Sequence, residues 1–368
     1  FWLKPFWLQT AGMGNALEPQ CGRSPLGHDE DETSIAARYQ THLCPRKLGE
    51  GNFSKAYACW RQDDPEDFYA VKVFSPDPDA IDHAINEITI LRALGSHPRI
   101  IELVDMEAHD PRSVRVVLEL CEGGQLYDRI QEKGQYEEQE GALVLMQILE
   151  AVEFMHSRGV MHRDLKPENV LLLSHDSDVD VKVCDFGIAK MAEPPPPEPR
   201  GEPQPPLAEP LAPLRAPPRA RSFKGSDFYL APEMIRQEEY GHQVDVWAVG
   251  VMAYALLSGT LPFCGKGGDL RETYRMIVER QLEFDGEDWA DKSELSMGFI
   301  RELLSVDQEQ RPSAAAALLH PWLLQAAAEG DEPFDANEED DEGDDGVFSC
   351  YVRPVVKHSR DCFGGKKK

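Results

Sequence analysis

Two short polar segments constrain this chain more than any other feature of its sequence. The first is His-Arg-Asp-Leu-Lys-Pro-Glu-Asn at residues 162–169, and the second is Asp-Phe-Gly at residues 185–187, which begins sixteen residues after Asn169. Short apolar runs at 159–161 and 181–184 precede them and are typical of strands. Such strands would aim both polar loops at one point, so the fold must bring the two segments together.

The two segments carry the chemical groups that phosphoryl transfer needs. Asp164 can act as a base for a hydroxyl, Lys166 supplies a cation for a moving phosphate, and Asn169 offers an amide ligand to a metal. Asp185 adds a carboxylate for a hard cation, and Gly187 permits a hinge. Two loops with ordinary turn chemistry are the alternative, and the length and order of the motifs argue against it.

In this order the motifs resemble the catalytic and metal-binding loops of eukaryotic protein kinases. The resemblance covers residues 43–323, which is most of the 368-residue chain. It implies an α+β fold of two lobes, with ATP bound between them. It also implies divalent ions, Mg²⁺ or Mn²⁺, held by Asn169 and Asp185.

The resemblance also divides the chain into regions. Residues 1–42 would be a disordered leader, 43–120 a small β-rich N-lobe and 121–323 a large, mainly helical C-lobe. A proline-rich insert at 191–221 lies within the activation segment. Residues 324–368 are rich in acids near their start and are predicted to form a disordered tail.

A candidate phosphate-binding loop lies at the start of the predicted N-lobe. Glycines in such a loop let the backbone approach phosphate oxygens, although a simple hairpin turn would use them equally well. The third glycine of the family pattern is replaced by Ser54. The positions that the resemblance places around the nucleotide here are Leu48, Gly49, Gly51 and Ala56.

A lysine and a glutamate are predicted to form an ion pair next to the nucleotide. Lys72 lies in the β-rich run 69–74, and Glu87 lies in the run 84–91, where Ile85 belongs to a predicted apolar helix face. The resemblance implies that Glu87 fixes Lys72, which then orients the α/β-phosphates. An outward-facing strand lysine and a solvated helix charge are the alternatives.

The hinge between the lobes is predicted at residues 119–126. Backbone groups of Glu119 and Cys121 would bind the adenine edge, while Ala70 and Leu171 would enclose the ring. These assignments follow from the resemblance, because isolated core residues of these types would be unremarkable.

Further motifs follow the predicted catalytic loops. Residues 225–233 resemble a substrate-docking loop, although Asp227 stands where the family usually has proline or a small residue. The resemblance implies a buried, structural ion pair between Glu233 and Arg311.

The substrate hydroxyl is predicted to belong to serine or threonine. Lys166, two residues after Asp164, is the serine/threonine form of this loop, and Ser226 sits where such kinases keep a hydroxyl. The protein is therefore identified as a member of the serine/threonine kinases, acting on protein substrates.

Three motifs resemble the calcium/calmodulin- and calcium-dependent kinase group. They are Glu-Leu-Cys-Glu-Gly-Gly at 119–124, Leu-Ser-Gly with Leu-Pro-Phe at 257–263, and His-Pro-Trp at 320–322. That group prefers basic residues before the target. Two positions would serve this preference in the group, and both are assigned to substrate binding. Glu168 is the acid that the group has, whereas Gln125 replaces the acid that usually follows the double glycine.

Composition excludes several classes of partner. A formal net charge of −28 argues against nucleic acid, which needs a basic surface. Eleven of the seventeen residues at 329–345 are acidic, which is typical of a solvated tail. No apolar run approaches the length of a membrane span. The eight cysteines form no C-x-x-C pair, which favours a reducing cytoplasm or nucleus.

The N-terminus suggests a lipid anchor only under one condition. Residues 1–12 read as a translated leader, so that Met13 would be the start and Gly14 would be exposed for N-myristoylation. Cys21 could then take a second acyl chain. The pattern departs from the motif at Glu18, and retention of the leader would remove the prediction.

The proline-rich insert is the most unusual segment. It contains twelve prolines between residues 194 and 218 and no hydroxyl side chain. Residues 210–215 match the P-x-x-P-x-R form that SH3 domains bind, although so many prolines also produce such a match by chance.

The segment at 341–352 lacks the ligands of an EF-hand, and residues 350–368 lack an amphipathic helix. Direct binding of Ca²⁺ or calmodulin is therefore not predicted.

Regulation is predicted to act through the activation segment. Ser222 follows two arginines, and phosphate there could be received by Arg163. Ser226 is a second candidate regulatory position. The alternative is an ordinary linker serine beside scattered arginines.

Two other functions remain open at this stage. A pseudokinase would keep the fold and bind partners through the insert and the tail, and a small-molecule kinase would use the same phosphate chemistry. The presence of every catalytic side chain argues against the first, and the docking loop argues against the second.

Overall fold

A computed structural model describes the part of the chain that carries the predicted kinase motifs. The described residues are 26, 34–41, 47–108, 110, 114–191, 214–215 and 226–330. Gly14, Cys21, Ser222, most of the proline-rich insert and the acidic tail lie outside these residues, so their predicted roles stay predictions.

The N-lobe is built on an antiparallel sheet. Its six strands among the described residues are β1 (Tyr39–Gln40), β2 (Lys47–Glu50), β3 (Ser54–Arg61), β4 (Phe68–Phe74), β5 (Leu103–Glu107) and β6 (Arg115–Glu119). The strand order is β1-β3-β4-β6-β5, and β2 pairs with β3. Alternation of side chains along β4 buries Val71 on one face and turns Lys72 towards the other.

Two helices accompany this sheet, α1 (Ile35–Arg38) and α2 (Pro78–Leu94). The side chain of Asp77 caps the start of α2 by accepting from the Asp79 amide at 3.0 Å, and Gly95, whose φ is 70°, is the C-cap that follows Leu94. Ile85 was predicted to share the apolar face, but it is 50% exposed. Each step of three residues falls about 60° short of a full turn, so Ile85 is rotated away from the buried residues.

The segment before β2 covers the outer face of the sheet. Ile35 and Tyr39 are buried there with Leu26, against Val71 and Val117. A carboxylate oxygen of Glu107 accepts a hydrogen bond from the backbone amide of Ile35 at 2.8 Å. The packed structure therefore includes residues 34–41, which lie before the predicted start of the domain at residue 43.

The C-lobe is mainly helical. Its helices are α3 (Leu126–Lys133), α4 (Glu138–Ser157), α5 (Pro232–Arg236), α6 (Gln243–Ser258), α7 (Leu270–Glu279), α8 (Glu294–Leu303), α9 (Ala314–Ala317) and α10 (Pro321–Gly330). Helix α6 is buried from Val244 to Ser258 because apolar residues surround it, and α4 and α8 pack against it.

Short strands of the C-lobe carry the loops that matter for function. They are β7 (Gly124–Gln125), β8 (Val160–Met161), β9 (Val170–Leu172), β10 (Val181–Val183), β11 (Lys190–Met191), β12 (Leu214–Arg215) and β13 (Glu239–Tyr240). The predicted α+β fold with a β-rich N-lobe and a helical C-lobe is confirmed.

The ion pair predicted between Glu233 and Arg311 is present and buried. Two nitrogens of Arg311 donate to the two oxygens of Glu233, at 2.8 Å and 3.2 Å. Further bonds from Arg311 reach the carbonyls of Gln243 and Ser305 at 2.6 Å and 2.9 Å. The pair ties α5 to the end of the C-lobe.

Within the described residues, we find no helix with both the length and the apolar character needed to cross a bilayer.

Candidate active site

The two polar segments meet at one end of a strand pair. Strands β9 and β10 are antiparallel, with Val170 opposite Val183. The backbone amide of Cys184 donates to the carbonyl of Asn169 at 2.9 Å. Asn169 and Asp185, the predicted metal ligands, therefore lie next to each other although sixteen residues separate them in sequence.

Asp164 is held by two neighbours from its own loop. Its Oδ2 accepts from Lys166 Nζ at 2.6 Å and from Asn169 Nδ2 at 3.0 Å. The same amide nitrogen also donates to the backbone carbonyl of Asp164 at 2.7 Å. Both polar partners bind Oδ2, which leaves Oδ1 as the oxygen that can accept a proton from a substrate hydroxyl.

Lys72 connects the N-lobe to the second polar segment. Its Nζ lies 2.7 Å and 3.0 Å from the two oxygens of Glu87, so the predicted ion pair is present. The same nitrogen lies 3.0 Å from Asp185 Oδ1. The side chain of Glu87 is fully buried, whereas that of Asp185 is 47% exposed, so only one of the two carboxylates faces the open cleft.

These contacts fix the charge state of the cluster. Burial lowers the pKa of Lys72, but the attraction of Asp185 and Glu87 outweighs it and raises the pKa overall. The attraction of Lys72 is the main reason that the pKa of Asp185 falls to about 2. Lys72 is therefore a cation and Asp185 an anion at neutral pH.

The backbone is strained on both sides of the cluster. Arg163 and Asp185 have φ angles of 67° and 66°, in the left-handed region that residues other than glycine seldom adopt. Asp245, buried at the start of α6, accepts from the amides of His162 and Arg163 at 2.9 Å and 2.8 Å. This carboxylate holds the catalytic loop in its strained form.

Sequence reasoning did not assign this role to Asp245. The available signal was a single acid in the first turn of an otherwise apolar helix, where a buried charge needs partners. His162 extends the same network, because its Nε2 lies 3.0 Å from the carbonyl of Cys184. Its ring also contacts Phe186, with ring centroids 5.0 Å apart.

The side-chain oxygens of Asn169 and Asp185 suit a hard divalent cation. The nitrogen of the Asn169 amide is used by Asp164, so its oxygen is the atom that can bind a metal beside the Asp185 carboxylate. Mg²⁺ typically takes one or two such protein ligands and completes its shell with water and substrate phosphates. Within the residues that the structure describes, no group of three or more His, Cys, Asp or Glu side chains could hold a metal alone.

Comparison with known proteins agrees with this geometry. Residues 44–323 match the protein kinase domain family. The chain belongs to the protein kinase family.

Its relatives place the kinase in a narrower group. It is 37% identical over 305 residues to "Calcium/calmodulin-dependent protein kinase type 1" of Macrobrachium nipponense, covering 82% of this chain and 80% of that protein. It is 32% identical over 330 residues to "Calcium-dependent protein kinase 33" of Arabidopsis thaliana, covering 87% of this chain but 58% of that protein. Another type 1 relative, from Caenorhabditis briggsae, is 37% identical over 281 residues, 75% of this chain and 70% of its own length. The protein is a serine/threonine kinase of this calcium-kinase-like group, and such kinases use ATP with a divalent metal.

The glycine-rich loop of the kinase joins β2 to β3. The amide of Gly51 donates to the Ser54 carbonyl at 2.9 Å and closes the turn. Nothing lies within 4 Å of the position that a Cβ on Gly49 would occupy, so the space over this strand is open. Leu48 is 37% exposed at the same edge.

The remaining predicted nucleotide residues are half-buried along the junction of the lobes. Ala56 lies opposite Lys72 and Ala70 lies opposite Leu118 in the sheet. Leu171 pairs with Gln125 across β7 and β9. Burial raises the pKa of the Cys121 thiol to about 12, which favours a packed, unreactive side chain at the hinge.

The side chain of Glu119 also connects the two lobes. Its carboxylate accepts from Lys182 Nζ at 2.6 Å and 2.7 Å, and from the Glu102 amide at 2.7 Å. Lys182 belongs to β10, three residues before Asp185. The side chain of Glu119 thus joins the hinge to the strand that leads to Asp185.

The predicted regulatory and substrate residues are only partly brought together. The guanidinium of Arg163 donates to the Ile188 carbonyl, with Nε at 2.8 Å, at the start of the activation segment. Ser226 begins a short helical turn, Ser226–Tyr229. The structure describes the backbone of Ser226 but not its side chain. The structure also explains Asp227, the unusual acid of the docking loop, which accepts from the Tyr274 hydroxyl at 2.9 Å.

Proposed function

We propose that this kinase transfers the γ-phosphoryl group of Mg²⁺-ATP to serine or threonine hydroxyls of proteins that carry basic residues before the target. The observation that carries the proposal is one continuous polar cluster. In it, Lys72 bridges Glu87 and Asp185, and the backbone of the next loop brings Asn169 and Asp164 alongside. This arrangement unites phosphate, metal and hydroxyl chemistry at a single point of the cleft.

The residues of the cluster divide the work of phosphoryl transfer. Asp185 and the oxygen of Asn169 would hold Mg²⁺, which neutralises charge on the phosphates when it is bound. Lys72, oriented by buried Glu87, would bind the α/β-phosphates as a fixed cation.

The catalytic loop would then act on the incoming alcohol. Asp164 Oδ1 accepts the hydroxyl proton while Oδ2 stays bonded to Lys166 and Asn169, so the carboxylate cannot rotate away. Lys166 lies next to this carboxylate and stabilises negative charge on the transferring group. Most of the rate enhancement would come from positioning and electrostatics rather than from covalent chemistry.

One carboxylate oxygen of Glu168 supports the proposed preference for basic substrates. Glu168 Oε2 is buried and has no hydrogen-bond partner among the described residues. Burial is the main reason that the pKa of Glu168 is raised; a backbone hydrogen bond and Lys166 act in the opposite direction, and the charges of Asp164 and Asp128 add to the rise. An arginine or lysine of the substrate would supply the missing partner, because a cation removes the cost of burying this charge.

Asp128 is an addition to the prediction for this subsite. Gln125 was assigned to substrate binding although it is uncharged, and it stands directly before α3. Asp128 follows in the first turn of the same helix and is exposed. We infer that Glu168 and Asp128 together bind the upstream basic residue, with Gln125 at the margin.

One experiment tests the catalytic proposal. Purified kinase is incubated with labelled ATP, Mg²⁺ and a serine peptide that has arginines before the target. We expect label on the peptide, and none with Asp185→Asn, whereas the control Asp291→Asn on an exposed loop keeps full activity. Binding of nucleotide without any labelled polypeptide would instead support the pseudokinase alternative. Label on a small molecule alone would support a small-molecule kinase.

The basic preference has its own test. Glu168→Gln and Asp128→Asn should each lower kcat/KM for an arginine peptide by about tenfold, the equivalent of one charge-assisted contact. A matched peptide with alanine in place of arginine should be used equally well by all three proteins. Equal losses on both peptides would show that the acids do not read the basic residue.

We also propose that phosphorylation of Ser222 activates the kinase. Arg163 supports this proposal because its guanidinium lies at the Ile188 carbonyl, where it can meet a phosphate on the activation segment. Mass spectrometry should find phosphate on Ser222 after incubation with ATP, and Ser222→Ala should have lower activity. Unchanged activity and no phosphate at this residue would contradict the proposal.

A further inference from the structure

One side chain of helix α2 directly contacts residues 185–189, which we call the proposed metal-binding turn. Asn86 Nδ2 donates to the backbone carbonyls of Phe186, Gly187 and Ala189, at 3.1 Å, 3.1 Å and 2.8 Å. Asn86 immediately precedes Glu87, and the three carbonyls immediately follow Asp185. A single amide therefore links the helix to the turn that carries the proposed metal ligand.

The chemistry of this contact requires a donor. Backbone carbonyls only accept hydrogen bonds, and the NH₂ group of asparagine supplies two N–H groups at one point, one of which is shared between two of the three carbonyls. The turn closes around that point, because the Ala189 amide donates to the Phe186 carbonyl at 3.1 Å. An acceptor at residue 86 would face three carbonyl oxygens without any compensating hydrogen.

The neighbouring residues of the helix reach the other parts of the cleft. A Cβ added to Gly187 would lie 3.2 Å from the ring of His83, so the turn packs closely on the helix. The His83 ring in turn stacks on Phe53 of the glycine-rich loop, with centroids 4.2 Å apart. One face of helix α2 thus contacts the glycine-rich loop, the Lys72 ion pair and the proposed metal-binding turn.

We propose that Asn86 is a positioning residue for the reaction. By holding the three carbonyls, it keeps Asp185 in the left-handed backbone conformation that directs its carboxylate towards Lys72 and the cleft. Without this amide the turn relaxes, and the carboxylate is no longer held where a divalent cation would be bound. The inference rests on the proposed role of Asp185 as a metal ligand.

The test is an isosteric substitution on the full-length kinase. Asn86→Asp keeps the shape of the side chain, removes both donors and sets a carboxylate against the carbonyls. We expect the Mg²⁺ concentration for half-maximal activity to rise about tenfold, as is usual when a group that supports a metal ligand is removed. Asp82→Asn, an exposed change on the same helix, is the matched control and should behave as wild type.

A second readout does not depend on turnover. Mn²⁺ binding is measured by electron paramagnetic resonance in the presence of a non-hydrolysable ATP analogue, and thermal unfolding is measured without metal. Asn86→Asp and the smaller change Asn86→Ala should both weaken Mn²⁺ binding, the charged variant more strongly. Asn86→Ala also provides the answer if the aspartate variant does not fold.

The outcomes separate this inference from the proposed function. A lower melting temperature with unchanged Mg²⁺ and Mn²⁺ dependence would show that Asn86 is merely structural and would overturn the inference alone. If Asp185→Asn keeps wild-type activity and metal binding, the proposed metal site is wrong, and the role of Asn86 fails with it.

Discussion

Each lobe of the kinase contains an ion pair with a buried carboxylate, and the two pairs serve different purposes. Glu87 and Glu233 are 0% and 2% exposed, so both need a cation at close range. The cation is Lys72 in the N-lobe and Arg311 in the C-lobe, at shortest distances of 2.7 Å and 2.8 Å. Judged by burial and distance alone, the pairs are equivalent.

The difference lies in what else each cation contacts. The guanidinium of Arg311 is fully buried, and its remaining bonds go to two backbone carbonyls, so its network is closed. Lys72 is 16% exposed and also contacts Asp185, which is 47% exposed, so its network opens into the cleft. A closed network contributes to folding, whereas an open one can exchange a protein contact for a substrate phosphate.

Removing Arg311 should produce the largest effect on folding. Arg311→Ala leaves Glu233 buried without a cation and should lower the free energy of unfolding by about 3–5 kcal/mol. Urea denaturation followed by circular dichroism measures this loss. If the two networks differ as described, kcat per folded molecule stays close to wild type, and a loss of kcat that exceeds the unfolded fraction would contradict the comparison.

Removing Lys72 should affect catalysis more than folding. Lys72→Met should lower kcat/KM about 10²–10³-fold, the usual cost of losing a fixed charge at the reacting centre. Its free energy of unfolding should fall less than that of Arg311→Ala, because Lys72 borders the open cleft, where water can replace part of its contacts, whereas Arg311 is fully buried. Steady-state kinetics and urea denaturation on the same preparation compare the two quantities.

Replacing the arginine of the C-lobe pair by lysine should have a smaller effect on stability, and it tests whether the geometry of the cation matters. Arg311→Lys keeps the charge but loses the planar fork that binds both oxygens of Glu233 and two carbonyls. We expect a loss of roughly 1.5–3 kcal/mol in the free energy of unfolding, from contacts to a charged group. A variant as stable as wild type would show that the charge alone, and not its geometry, stabilises the C-lobe pair.

The smallest effect concerns pH. Since Lys72 lowers the pKa of Asp185 to about 2, this carboxylate stabilises the fold above its ordinary pKa, and the contribution is lost as pH falls from about 4 to about 2. Between pH 6 and pH 8 it stays ionised. The Mg²⁺ concentration for half-maximal activity should therefore change by less than about twofold over that range. A change that stays steeper after the titration of the ATP phosphate itself has been subtracted would mean that Asp185 does not carry this charge state.

Both ion pairs could be predicted because the motifs around them resemble those of protein kinases, and the resemblance implies the pairing. Lys72 lies in a β-rich run, Glu87 in a helical run, and Glu233 ends the docking loop. The sequence did not predict the roles of Asn86 and Asp245. Both bind backbone groups of residues far away in the chain, and a backbone acceptor or donor leaves no trace in the sequence.

The exposure of Ile85 and the packing of residues 34–41 were also not predicted. Ile85 fits an apolar helical pattern, but it lies at the edge of the face and is exposed. Residues 34–41 precede every motif and show no clear periodicity, so the leader was expected to end at residue 42. Their burial depends on the outer face of the sheet, which only the assembled fold creates.

This N-terminal segment has a practical consequence for anyone who expresses the kinase in shortened form. The family match begins at residue 44, and a protein cut there would lack β1 and the side chains that cover Val71 and Val117. The end of strand β3 at Trp60 and Arg61 would lose its partner strand β1, and an apolar patch would face water. Such a fragment should be prone to aggregate, although it would keep every residue that we propose for catalysis.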